Sequence, residues 1–116
     1  MATILAGIVC FGVTACRSAF VETTVANDGV SPVHLIEVDY PSASFGMQTL
    51  DAHASYHYRF KIQGSGPISI TFFDSAGKPH TATGPTLTQG QQGDLKITVD
   101  RNGSVSWGAN LSPAGR

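Results

Sequence analysis

The sequence predicts an all-β domain, on the evidence of its composition, its period and its punctuation. The chain of 116 residues is rich in Gly, Ser, Thr and Pro and only 13% charged, a bias toward strands and turns and away from solvent-exposed helices. Apolar residues alternate with polar ones over short runs, the period of a half-buried strand. Turn-forming residues punctuate those runs roughly every 8 to 12 residues. Seven to eight short strands spaced this way form an antiparallel β-sandwich, with an immunoglobulin-like arrangement as first choice and a small barrel behind it.

The first strand is expected over Phe20 to Ala26, where Val21, Thr23, Thr24 and Val25 favour extended backbone and Asn27-Asp28-Gly29 ends the run. A second covers Val33 to Tyr40 between Pro32 and Pro41, with Ile36, Val38 and Tyr40 on one face and Glu37 and Asp39 on the other. Phe45 to Leu50 reads as an edge or crossing strand. The clearest alternation lies in Ser55 to Ile62, where Tyr56, Tyr58, Phe60 and Ile62 share a face. Gly64-Ser65-Gly66-Pro67 then leads to Ile68 to Phe72, which suggests a hairpin between these two strands. A polar strand near His80 to Thr83 follows, then a loose link to Gln89-Gly90-Gln91-Gln92-Gly93. Leu95 to Val99 and Val105 to Trp107 form the last hairpin around Asn102-Gly103, the strongest short-range hairpin cue available. The expected core is Val21, Val25, Ile36, Val38, Tyr40, Leu50, Tyr56, Tyr58, Phe60, Ile62, Ile68, Ile70, Phe72, Leu95, Ile97, Val99, Val105 and Trp107. Phe45 and Phe73 fall outside that set and are the candidates for an exposed aromatic ligand site.

Ahead of the strands, an uncharged apolar run from Ile4 to Val13 ends in Val13-Thr14-Ala15-Cys16. A membrane-crossing helix needs about 20 apolar residues, whereas a signal-peptide core needs roughly 7 to 15 followed by a small residue such as Ala15. The closing tetrapeptide resembles the lipobox of bacterial lipoproteins. That resemblance implies a signal peptide over residues 1–15, acylation of the Cys16 thiol, cleavage before it, and a mature chain held to a bilayer by acyl chains such as palmitate. Residues 16–19 would be a short tether, 20–110 the sandwich and 111–116 a flexible tail. Arg17 in place of Asp after the cysteine implies, by the sorting rules of diderm envelopes, the outer membrane facing the periplasm. Cys10 leaves with the signal, so Cys16 is the one thiol expected in the mature chain and no internal disulfide forms. The order of motifs, a first strand ending in Asn27-Asp28-Gly29, a second beginning at Pro32-Val33, a Leu50-Asp51-Ala52-His53-Ala54 corner and then the aromatic strand, resembles the small immunoglobulin-like domains of bacterial envelope proteins, which serve as adhesion, binding or spacer modules.

Formal charge is −1 with the ionic residues scattered singly, which excludes the basic face that nucleic acid requires. No Gly-x-Ser-x-Gly elbow or other catalytic signature occurs, so no enzyme activity, small-molecule substrate or cofactor is expected. Of the four histidines, His53 and His57 are spaced for a shared ion on a helix but fall on a turn and a strand, with Met47 and Asp51 as further donors. They are weak metal candidates. The expected function is a membrane-anchored structural or protein-interaction module whose partner is the bilayer through Cys16 and another envelope protein. The alternatives are a secreted module binding a glycan or peptide, and an envelope metal-binding protein.

Overall fold

Parity along each strand sorts the side chains into a buried and a solvated set, and tight turns place the strands. The computed structural model describes residues 19–113, so the signal segment, Cys16 and the first part of the tether lie outside the described residues. The elements are β1 (Val21–Asn27), β2 (Val33–Tyr40), β3 (Ala43–Leu50), β4 (Ser55–Phe60), β5 (Gly66–Phe73), β6 (Pro79–Leu87), β7 (Gln91–Val99) and β8 (Val105–Pro113). They form two four-stranded sheets, β4-β1-β7-β8 and β3-β2-β5-β6, packed as a β-sandwich. β2 coincides with the expected strand, and β8 runs to Pro113, taking in three residues expected to belong to the tail.

Two pairings differ from the sequence expectation. β4 and β5 do not form a hairpin: β4 pairs with β1 in one sheet while β5 pairs with β2 and β6 in the other. Gly64, at φ 102°, turns the chain across the gap between the sheets. Alternation shows that each strand has one buried face, but it does not name the neighbour. β1 and β7 pair in parallel, from Val21↔Gly93 to Asn27↔Val99, amid antiparallel ladders. Strands so distant in sequence are free of the hairpin constraint that imposes antiparallel pairing.

Three hairpins are local. Pro41 and Ser42 (φ 78°) join β2 to β3, while β5–β6 and β7–β8 close through turns described below. In β2 the register against β5 slips between His34 and Glu37, and Leu35 takes up the extra residue at φ 49° with 58% of its surface exposed. Gly46 faces this bulge, since a Cβ there would run into the Ile36 carbonyl oxygen.

The core is a continuous cluster of Val, Ile, Leu and Phe side chains drawn from both sheets, with Phe72, Ile68, Ile70, Leu87, Leu95 and Ile97 all but sealed from solvent. Each such side chain contributes about 1.5 to 3 kcal/mol relative to exposure. Tyr40, Tyr56, Tyr58, Val105 and Trp107 are only partly buried because they close the two long sides of the sandwich. On one side Phe45 stacks on Tyr58 (ring centroids 4.3 Å apart) and Tyr40 on Phe60 (3.9 Å). On the other the Trp107 indole lies flat on Gly84, where a Cβ would come within 2.5 Å of the ring.

Thr23, in the middle of β1, is fully buried, and its Oγ1 has no hydrogen-bond partner among the described residues. A hydroxyl taken from water without a partner is a net cost. Thr23→Val is expected to raise the unfolding free energy by about 1 kcal/mol, read as a higher urea midpoint at unchanged slope. A drop in the midpoint would mean that the hydroxyl is satisfied.

Candidate functional site

Strand direction defines two poles. β1 runs away from the N-terminal segment, so Val21, Phe60 and Gly93 mark the entry pole, while Asn27, Ser55 and Val99 mark the far one. Four connections lie at the far pole, and three of them meet around one opening: the β1–β2 loop, the β5–β6 turn and the β7–β8 turn. Between them lies a half-open cleft of about 190 Å³, lined by the Gly29–Val33 segment, Asp74–Ala76 and Asp100–Gly103, with Phe72 and Val99 at its base. Val30, 67% exposed, is the most exposed large apolar residue described and stands in this lining.

Asn27 holds the β1–β2 loop in place. It is 1% exposed, and its amide nitrogen donates to Ser31 O (2.9 Å) and to Leu50 O (3.0 Å) in the opposite sheet. Its side-chain oxygen accepts from Gly29 N–H at 2.9 Å. The Asn27 backbone adds bonds to Ala54 O (3.0 Å) and from His53 N–H (2.7 Å), and Asp28 N–H donates to Val99 O at 2.8 Å. One buried amide thus ties the loop and the β3–β4 corner to the end of β1.

The two turns are built alike. In Asp74-Ser75-Ala76-Gly77-Lys78, Asp74 Oδ1 accepts from the Ala76 and Lys78 N–H groups, both at 2.9 Å, and Gly77 takes φ 81°. In Asp100-Arg101-Asn102-Gly103-Ser104, Asp100 Oδ1 accepts from Asn102 (2.8 Å) and Ser104 (3.0 Å), and Gly103 also takes φ 81°. Each is a three-residue hairpin loop closed by a left-handed glycine and braced by its leading aspartate.

His80 joins the two turns. Its Nε2–H donates to Asp74 Oδ2 at 2.9 Å, its ring stacks on Phe72 (5.0 Å, 9° between planes), and Gly103 leaves the space the ring fills. The His80 bond, then the Lys78 and Ala76 amides, hold the Asp74 carboxyl below the ordinary carboxylate range against a smaller opposing effect of burial. A carboxylate with a depressed folded pKa contributes stability that is fully present above its unfolded value and is lost as pH falls through the folded one. The stability difference between wild type and Asp74→Asn is therefore expected to be constant from neutral pH down to about pH 5 and to shrink below about pH 4. Thermal unfolding of both proteins at pH 7, 4 and 2.5 measures it, and a gap unchanged at pH 2.5 counts against the pairing.

The expected site residues are not brought together. Phe45 is 8% exposed and belongs to the core, so it is not a surface ligand residue. Phe45 lies opposite the buried Val38 in register and shares its inward face. Phe73 is half-buried on the outer face of its sheet, between His34 and Pro79 in register. His53 is exposed at φ 63° on the β3–β4 corner, and His57 is exposed on β4, 3.3 Å from Thr24 Oγ1. Among the described residues no three His, Cys, Asp or Glu side chains gather as metal ligands, and Met47 packs against the core. Cys16 lies outside the described residues.

In the sequence Asn27 reads only as the end of the first strand, and Asn102-Gly103 only as a hairpin turn. The recurrence of Asp three residues before Gly at both turns was visible, but their convergence at one pole was not.

No family model matches the chain, and no curated protein matches it. Among solved structures, an NMR structure of a protein from Eubacterium rectale is similar, with a TM-score of 0.57, 18% identity, and coverage of 84% of this chain and 91% of that one. At that identity the likeness bears on the fold alone.

Proposed function

We propose that this chain is a lipid-anchored module of the bacterial envelope that presents its far-pole cleft to another envelope protein. The observation that carries this reading is the opposition of the poles. The segment bearing Cys16 joins the sandwich at Val21, whereas the cleft and the exposed Val30 sit beyond Asn27, about 23 Å away along seven residues of strand. Only Arg17, Ser18, Ala19 and Phe20 separate Cys16 from β1, so a domain fastened there rests on the membrane with its loop cluster turned outward. Two or three acyl chains make such an anchor effectively permanent, where one alone is marginal. Loops carried on a rigid sandwich are a common place for recognition.

Metabolic labelling of expressing cells with an alkyne fatty acid tests the anchor. Wild-type protein is expected to carry the label and to partition with membranes, and Cys16→Ser to lose both properties. Unlabelled wild-type protein in the soluble fraction overturns the anchored reading and leaves a secreted module that offers the same cleft.

A further inference from the structure

A β-sandwich of two open sheets has four edge strands, here β3, β4, β6 and β8. Three are guarded. β4 is six residues long and carries Arg59. β6 contains Pro79 and Pro85, which lack the N–H that a ladder needs. β3 is interrupted where Gln48 has no register partner opposite the Leu35 bulge. β8 has none of these defences. Its nine residues, VSWGANLSP, include no ionisable side chain, and its one proline is the last residue. A long uncharged edge is a template for a further strand.

Among the described residues, the ladder with β7 shows which groups are free. Asp100 N–H donates to Ser104 O, so alternate residues Ser106, Gly108, Asn110 and Ser112 turn their backbone groups to β7. The Asn110 carbonyl indeed sits hard against Gly93. Val105, Trp107, Ala109 and Leu111 therefore point their N–H and C=O groups outward. Val105, Trp107 and Leu111 also keep part of their apolar surface exposed along this edge.

We propose that β8 pairs antiparallel with β8 of a second copy about a two-fold axis at Ala109, extending one sheet continuously across both molecules. A register centred on Ala109 uses all nine residues and sets Trp107 opposite Leu111 of the second copy, an aromatic–aliphatic pair of the kind that stabilises sheets. On the outer face Ser106 meets Ser112 and Gly108 meets Asn110, and no like charges oppose each other. With the other edges guarded, the contact closes as a dimer and does not propagate into a fibre. The two-fold inverts the neighbour, so an anchored copy pairs with one on a facing surface or in solution and not with its neighbour on the same leaflet. The inference does not depend on acylation.

The test is sedimentation equilibrium of the full chain in detergent solution, alone and as Ala109→Pro and Ala109→Lys. Ala109 N–H faces outward, so proline leaves the β7 ladder intact, and lysine at the axis sets two cations face to face. Wild type is expected as a dimer and both variants as monomers that still unfold cooperatively on heating; if the proline variant misfolds, the lysine variant decides. In a background of Cys10→Ser and Cys16→Ser, Ala109→Cys is expected to form an interchain disulfide, because paired Cα atoms lie about 5.5 Å apart. Val105→Cys is expected to form none, because its copies lie about 27 Å apart. A monomeric wild type, a dimer that survives both substitutions, or equal cross-linking at Val105 overturns the proposal.

Discussion

Replacing Asn27 with alanine is expected to lower the unfolding free energy by about 4 kcal/mol, the sum of leaving two buried polar groups and one partly buried one without their partners. The substitution removes a side chain that is 1% exposed and strands Leu50 O, Ser31 O and Gly29 N–H. Loss of apolar contact is minor, because the amide carries little apolar surface. Asn27→Asp should do no better at neutral pH. A carboxylate still accepts from Gly29, but it has no hydrogen to give Ser31 O or Leu50 O and brings a charge into the interior. Urea unfolding of the three proteins measures this, and an alanine variant within about 1 kcal/mol of wild type would mean that water replaces the amide. Because the same amide fixes the β1–β2 loop, both variants are also expected to lose whatever the far-pole cleft binds.

Gly93→Ala is expected to cost about 3 kcal/mol or more, and Gly77→Ala about 1 kcal/mol. Both glycines sit at positive φ, +134° and +81°, so both substitutions strain the backbone. They differ in what a methyl group would meet. Around Gly77 nothing lies within 4 Å, whereas at Gly93 the methyl would strike the Asn110 carbonyl oxygen of β8. That oxygen belongs to the ladder, so relief requires the β7–β8 pair to move apart. Gly93 also donates its N–H to Phe20 O at 3.1 Å, where the parallel β1–β7 pairing begins. Thermal unfolding of the two variants separates conformational strain from collision, and equal losses would show that the collision is relieved without cost.

Much of the fold was legible because strand signals are local. The alternation in Ser55 to Ile62 and in Ile68 to Phe72 is a property of neighbouring residues, and so is the Asn102-Gly103 turn that closes β7 on β8. The core followed from the same parity for Val21, Val25, Ile36, Val38, Ile68, Ile70, Phe72, Leu95, Ile97 and Val99. Parity failed around the Leu35 bulge and where no alternation could be read. Val33 and Phe45 turned inward, Val33 because the Leu35 bulge lets it share the inward face of Ile36, and Leu87 entered the core from a segment read as a loose link. The far-pole cleft was hidden for another reason: its walls come from segments around residues 30, 75 and 102, which no local pattern connects.

The chain by itself determined that this protein is built from short strands, where most of them lie and which way most of their side chains face, because backbone preference and side-chain period act between adjacent residues. Only the tertiary structure decided that β4 leaves β5 for β1, that β1 lies parallel to β7, and that Asn27, His80 and two aspartate-braced turns share one pole. Those choices depend on which distant surfaces exclude water from each other. That free energy belongs to the assembled pair of sheets and is written in no single segment.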